Sequence, residues 1–537
     1  MRGCYWAVLS TLLACGGADF DRGDPPPYSE SDILWAELDI ASATDLGHVA
    51  TEIPAGERVE ASAIALTEIG VEAGLGDSQA GGNAHGVGVG FVDLDGDGFE
   101  DIVLVTGSAY PKFVYRNDGS GNFVDRSAAS GIAAALDGLD TYSVAAADYD
   151  LDGDLDLYIG AMPRDLLLQN DGGGVFSDVT DAANAGGRPS SQGGTASKIV
   201  GWGDYDGDGF MDIAAASSTF TDDSPNGYLL RNRGDGTFED VTDATGFHAS
   251  GTGNPCAMMW SDIDADGDQD VWIWNDRGND RENRALLRND GAAFTNITES
   301  AGITRESGNP MGIDSADLDH DGRLDTYVSD AGSNELYWQS PDGTFVEMGR
   351  EAQAAGDFGW GLALEDFDGD SWTDIFVAQE DDLPYLTFRN QRLSPPIFVR
   401  QDWEHAVVGE GHNVAAAVAD IDHNGTIDIV TASTSGSRMS LYRNDTDLGT
   451  NRWLQVRITD VPGTGANGGI SGRVVVKTGD LLQFRDITGG SSRASQNAMS
   501  VRFGLGQWTG AEYVAVLFPD GRQRVVLGVE GNQIIDL

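Results

Sequence analysis

The sequence predicts an all-β protein: a seven-bladed β-propeller followed by a small C-terminal β domain. Three observations carry this prediction. An acidic segment, DLDGDGFED at residue 93, recurs as DYDLDGDLD at 148, DYDGDGFMD at 204, DIDADGDQD at 262, DLDHDGRLD at 317, DFDGDSWTD at 366 and DIDHNGTID at 420. The steps between copies are 55, 56, 58, 55, 49 and 54 residues. Each step has room for four short strands, the arithmetic of a propeller blade. After residue 450 the repeat stops, and alternating runs such as RVVVKTG at 473 and YVAVLFPDG at 513 replace it.

Residues 1–14 form the first element. MRGCYWAVLSTLLACGG places Arg2 before an apolar run and ends that run at Cys15, which resembles a bacterial lipoprotein signal cleaved to leave a lipid on Cys15. An ordinary secretory signal is the alternative. Residues 15–50 are acidic and Pro-rich around GDPPPYSESD, and read as a flexible tether. The tripeptide Arg22-Gly23-Asp24 in it is read as chance. With Cys4 removed and Cys15 acylated, only Cys256 remains, so the fold does not depend on disulfides.

Residues 51–450 carry the repeats. In each acidic segment, carboxylates at positions 1, 3, 5 and 9 and the carbonyl at position 7 can surround a hard cation, while a glycine at position 6 turns the chain. The seven loops offer Asp93, Asp95, Asp97, Phe99 and Asp101; Asp148, Asp150, Asp152, Asp154 and Asp156; Asp204, Asp206, Asp208, Phe210 and Asp212; Asp262, Asp264, Asp266, Asp268 and Asp270; Asp317, Asp319, Asp321, Arg323 and Asp325; Asp366, Asp368, Asp370, Trp372 and Asp374; and Asp420, Asp422, Asn424, Thr426 and Asp428. Up to seven Ca2+ ions are expected, in preference to Mg2+, which demands octahedral geometry. Ser371 at position 6 and Asn424 at position 5 are expected to weaken loops six and seven. His320 and His423, at position 4, read as spacers.

EF-hands are excluded because position 12 is Leu104, Ile159, Ala215, Ile273, Val328, Val377 or Thr431, never acidic. Position 9 leads instead into a buried strand such as IVLV at 102 or VWIW at 271. A strand of small residues precedes each loop, as in GVGVG at 86 and AAAVA at 415, and suits crowding toward a common axis. A third strand ends in motifs such as YRND at 115 or LLRND at 286, and a short fourth comes after it. The seventh unit lacks this fourth strand, and ALTEIGVEAGL at 65 is expected to supply it and close the ring.

These loops and strands resemble the FG-GAP, or VCBS, repeats of integrin α subunits, whose propellers hold Ca2+ between the first two strands of a blade. Residues 451–537, with NGGISGRV at 467, GGSSRASQ at 489, VRFGLG at 501 and FPDG at 518, resemble the ASPIC/UnbV domain of the cartilage acidic protein family. That resemblance implies extracellular binding or adhesion.

A net charge of −55 argues against nucleic acid or an anionic membrane surface as partner, so the only expected membrane contact is the N-terminal lipid. The expected partner is an extracellular protein or glycan, met outside the cytoplasm at a bacterial outer membrane or cell surface, or after secretion. Segments entering the small-residue strands should line the channel mouth, making His85, Tyr142, Lys198, Arg277, Arg281, Arg284, Trp360 and His412 a possible ligand face. No catalytic constellation is evident, and seven copies of an aspartate cluster suit structure better than catalysis. A carbohydrate-active or other enzyme with its site at the channel mouth is the alternative. Cys15→Ser is expected to release the protein from membranes; continued attachment would contradict lipidation.

Overall fold

A computed structural model describes residues 38, 43–76, 78–82, 86–188, 197–217, 227–247, 254–276, 284–291, 293–303, 308–379, 383–401, 411–459 and 467–537. Cys15, His85, Arg277 and Arg281 lie outside them. Seven antiparallel four-stranded sheets make up the repeat region. In the first, Val87–Val92, Asp101–Thr106, Phe113–Asn117 and Phe123–Asp125 pair in chain order. The inner strands of the next six blades are Asp140–Ala147, Ser197–Gly203, Asn254–Ser261, Pro310–Ala316, Gly359–Glu365 and Asn413–Ala419. Each packs against the next, and Asn413–Ala419 packs back against Val87–Val92, so the ring is closed. The fourth strand of blade seven is Leu66–Glu68, whose Leu66 and Glu68 face Asn444 and Tyr442. As expected, the closing strand comes from the N-terminal side of the repeats.

The blades are tied by one side chain that repeats with them. The third strand of every blade ends in an amide whose Nε2 or Nδ2 reaches the position-2 carbonyl of the preceding blade's acidic loop. Asn170 reaches Leu94 (2.9 Å), Asn232 reaches Tyr149 (2.9 Å), Asn289 reaches Tyr205 (2.8 Å) and Gln339 reaches Ile263 (2.8 Å). Asn390 reaches Leu318 (2.8 Å), Asn444 reaches Phe367 (3.0 Å), and Asn117 reaches Ile421 (2.9 Å) across the seam between the last blade and the first. All seven amides are buried. His320 and His423 are not spacers: each ring stacks on position 7 of the following loop, His320 on Trp372 and His423 on Phe99, with centroids 4.1 Å apart in both pairs.

The C-terminal domain packs a sheet containing Arg473–Thr478, Leu481–Asp486, Gly510–Leu517 and Gln523–Glu530 against a second of Arg452–Arg457, Val501–Gly506 and Gln533–Asp536. Its apolar interior is continuous with blade three: Trp202, Met211 and Ile213 share one buried cluster with Leu454, Val474, Phe503 and Val514. Residues 44–50, expected within the tether, are instead docked. Thr44–Asp45 adds a parallel strand to Gln523–Glu530, and the Ile53 N–H donates to the Gln507 carbonyl (2.7 Å). A sheet edge with unpaired backbone groups is a ready template for such an added strand.

The axis of the ring is filled. A propeller's inner strands present unpaired N–H and C=O groups to the axis, and buried backbone groups need partners. Residues 489–498 supply them. The Trp202 N–H donates to the Gly489 carbonyl (2.6 Å), that of Phe91 to the Gln496 carbonyl (3.0 Å), that of Leu362 to Ser492 Oγ (2.8 Å), and that of Ala498 to the Val418 carbonyl (3.0 Å). The small inner-strand residues make room for this segment: a Cβ on Gly88 would lie 2.5 Å from the Ala494 carbonyl oxygen, and one on Gly489 would lie 2.6 Å from Trp202 Cβ.

Removing a clasp leaves a buried carbonyl without its donor. Asn232→Ala is therefore expected to destabilise the protein by about 1–3 kcal/mol in urea unfolding, against less than about 0.5 kcal/mol for the exposed Asn122→Ala. Equal effects would refute the role given to the clasp.

Candidate metal centres and the filled axis

Each acidic loop is shaped by its own aspartates. The position-1 carboxylate accepts the N–H groups of positions 5 and 6, as Asp93 does from Asp97 (3.1 Å) and Gly98 (2.9 Å), and Asp204 from Asp208 (3.1 Å) and Gly209 (2.9 Å). Position 6 has a left-handed φ throughout, including +78° at Ser371, whose N–H still reaches Asp366 (2.8 Å). Ser371 thus reproduces the turn despite its Cβ. Position 4 is also left-handed in every loop, with φ +57° at His320 and His423.

The position-9 aspartate is buried in all seven loops. One oxygen accepts the position-2 N–H and the other accepts the N–H of the clasping amide residue, as Asp212 does from Tyr205 (3.1 Å) and Asn232 (2.7 Å). Loop and clasp are therefore one hydrogen-bonded unit.

The position-3 carboxylates divide their two oxygens. Asp150 Oδ2 accepts from Gln169 (2.6 Å), Asp206 Oδ2 pairs with Arg231 (2.7 Å), Asp319 Oδ2 accepts from Trp338 (2.9 Å), and Asp95 Oδ2 pairs with Arg116. The Oδ1 atoms of these four aspartates are buried with no hydrogen-bond partner. Carboxylate oxygens of positions 1, 3 and either 5 or 9 gather within 4.8 Å in loops one to five, and two further groups of this kind occur. A buried oxygen left bare inside a ring of carboxylates is what a hard, oxygen-seeking cation would complete. The donor set fits Ca2+.

Burial, with neighbouring carboxylates adding to it, raises the carboxyl groups far above the ordinary aspartate range: Asp93 to about 6, Asp204 to about 7, Asp101 to about 8 and Asp156 to about 9. Asp212, Asp317 and Asp428 are also raised strongly by burial.

The C-terminal domain sits on the loop side of the ring. Arg473 Nη2 donates to the Asp262 carbonyl (3.2 Å), Arg457 Nη1 to that of Gly98 (3.0 Å), and Arg502 Nη1 to that of Asp366 (2.5 Å). These arginines were not expected from the sequence. Nor was the role of the residue preceding each clasp, Arg in five blades, Gln169 in blade two and Trp338 in blade five, although the recurring YRND and LLRN motifs carried part of that signal.

The expected ligand face is not an open mouth. Tyr142, Lys198 and Trp360 are buried, each at most 4% exposed. Residues 489–498 cover Trp360, with the Arg493 guanidinium 4.6 Å over its ring and Nη1 on the Val414 carbonyl (3.3 Å). His412 is half-buried and meets Trp360 edge-on at 4.8 Å. Arg284, placed on the possible ligand face, is buried in an ion pair with Glu335 (2.8 Å) and lies 5.0 Å over Trp274. Its charge is therefore held by the protein itself.

Comparison with known proteins places this arrangement in a class. FG-GAP-like repeats match residues 93–159, 204–273, 262–328 and 319–377, and an ASPIC and UnbV domain matches residues 463–537. The chain thus carries FG-GAP-like repeats followed by an ASPIC and UnbV domain, and is homologous to cartilage acidic protein 1. Cartilage acidic protein 1 of Mus musculus is 25% identical over 277 residues, 47% of this chain and 41% of that protein. The Xenopus tropicalis protein is 25% identical over 337 residues, 60% of this chain and 43% of that protein. Each match spans less than half of the relative's length. A lectin of Agrocybe aegerita that recognises non-reducing terminal N-acetylglucosamine is 19% identical, with 66% of this chain and 87% of that chain covered and a TM-score of 0.39.

The raised carboxyl groups fix the sign of a pH effect. Protons bind them more readily folded than unfolded, so their stabilising contribution is present at low pH and lost as pH rises through about 6 to 9. Metal-stripped protein should melt higher at pH 6 than at pH 9. Calcium, which competes with the protons, should reverse that order, and an unchanged order would count against metal in the loops.

Proposed function

We propose that the protein is an extracytoplasmic binding module whose propeller is stiffened by Ca2+ in up to seven loops, and that it recognises a protein or glycan ligand. The propeller fold itself suggests a binding module. What carries the calcium reading is the bare, buried Oδ1 at position 3 of loops one, two, three and five, each facing carboxylates already held in place by backbone N–H groups. At dissociation constants on the order of 0.1–1 mM, millimolar Ca2+ adds up to about 1.4 kcal/mol per site, so seven sites reach roughly 10 kcal/mol. That is comparable with the stability of a whole domain. The calcium is structural on this reading, and a lipid on Cys15 holds the protein to a bacterial membrane.

With the axis occupied by residues 489–498, recognition falls to the loops of the ring face opposite the C-terminal domain. Metal analysis of purified protein is expected to find several calcium ions per chain, with chelation lowering the melting temperature by many degrees. Asp206→Ala should remove one ion and leave the others. Absence of calcium at saturating supply would refute the reading. Binding without turnover on a glycan array or to a protein partner would support the module; polysaccharide cleavage abolished by His85→Ala would establish the enzymatic alternative instead.

A further inference from the structure

Position 8 of the acidic loops faces the C-terminal domain. Thr373 Oγ1 accepts from Arg485 (3.2 Å), and Leu324 packs with Val475 and Phe484. The residues there are Leu155, Met211, Gln269, Leu324, Thr373 and Ile427, with one exception: loop one carries Glu100. Glu100 is only 5% exposed. Its Oε1 accepts from Ser500 Oγ (2.5 Å), whereas its Oε2 is buried with no hydrogen-bond partner. Taking a carboxylate out of water without a partner is costly, and a leucine would fill the same layer without that cost.

Glu100 lines a partly open cavity of about 340 Å³ bordered by loops one and two and the C-terminal domain. Val92, Leu155, Ile458 and Met499 give it apolar walls, and Asp93, Asp97 and Asp154 also border it. The cation in its wall, Arg457, is already engaged, with Nε on Asp536 (2.8 Å) and Nη1 on the Gly98 carbonyl. The cavity therefore combines a buried, half-satisfied carboxylate, negative surroundings and aliphatic surface.

We propose that this cavity binds a primary ammonium group on a short aliphatic stem, with the ammonium on Glu100 Oε2 and the stem along Leu155, Ile458 and Met499. A divalent metal suits it less, because Ca2+ needs six to eight converging oxygens and has no use for apolar walls. An ammonium needs few acceptors, and its alkyl chain gains from those walls. The stem and charge could belong to a free alkylamine or to a lysine side chain of a partner. Glu100 itself is not among the proposed calcium ligands, so its ligand goes beyond the calcium reading, although Asp93, Asp97 and Asp154 of loops one and two border the same cavity.

Calorimetric titration of the full, calcium-saturated chain with 1,5-diaminopentane and with Nα-acetyl-lysine amide tests the proposal. Saturable binding of one molecule per chain is expected for at least one of them. Binding of the diamine alone would point to a free amine, and binding of the lysine derivative to a side chain. The neutral isostere n-pentanol should bind far more weakly. Glu100→Gln should weaken amine binding at least about tenfold through loss of the charge-assisted bond, and Ser500→Ala about fivefold through loss of the donor that orients the Glu100 carboxylate. The second variant keeps the test open should the first fold poorly. No saturable amine binding, unchanged affinity in Glu100→Gln, or uptake there of a further divalent ion alone would overturn the proposal.

Discussion

The structure depends on making aspartate clusters tolerable. Each loop gathers like charges within a few ångströms, where repulsion in a partly buried site is severe. The chain first compensates with backbone N–H groups: positions 5 and 6 serve position 1, and position 2 with the third strand serves position 9. The clasping amide then uses its side chain to seize the carbonyl of the preceding loop. Geometry at one turn is thus passed to its neighbour around the whole circle, including the seam where Asn117 meets Ile421. A cation that completes one loop would stiffen not a single blade but the joint between two.

The second constraint lies at the centre. A propeller leaves only short outer edges on its blades, but also seven inner edges facing the axis. Wide water-filled channels satisfy such edges with solvent; here a segment of the other domain does so. Glycines on both sides permit it, since a Cβ at Gly88 or Gly489 would meet backbone or tryptophan at 2.5–2.6 Å. With a shared apolar core at blade three and arginines resting on the loop carbonyls, propeller and C-terminal domain form one cooperative unit. Treating the second domain as an accessory carried by the first misstates how the ring is filled.

How much of this was legible depends on how each feature is encoded. The loops could be read because their turns and internal hydrogen bonds require residue types at fixed local positions, and the closing strand Leu66–Glu68 because counting strands left one missing. The clasps were visible only as a recurring RN dipeptide, since a side chain reaching another blade 72 to 84 residues away in six cases leaves no local pattern. GGSSRASQ read as a loose family motif; its small residues are in fact what the axis admits. Tyr142, Lys198 and Trp360 do lie on inner strands, but their exposure could not be judged without knowing that Arg493 would arrive from the far end of the chain. The docking of residues 44–53 was hidden for the same reason, because an acidic stretch says nothing about a sheet edge that forms from residues 523–530.

These long-range pairings converge on one seam. The N-terminal stretch first joins the C-terminal sheet at Thr44–Asp45, then hydrogen-bonds to Gln507 and finally becomes the outer strand of blade seven. The same seam carries the Asn117 clasp and the stack of His423 on Phe99. Both ends of the sequence therefore hold the ring shut where its last blade meets its first. In an ordinary repeat array the terminal units are the weakest, because each lacks a neighbour. Here the terminal blades are joined to each other and strapped to a second domain, so the point at which a propeller would open most easily is held by a pairing strand, an amide clasp and an aromatic stack together.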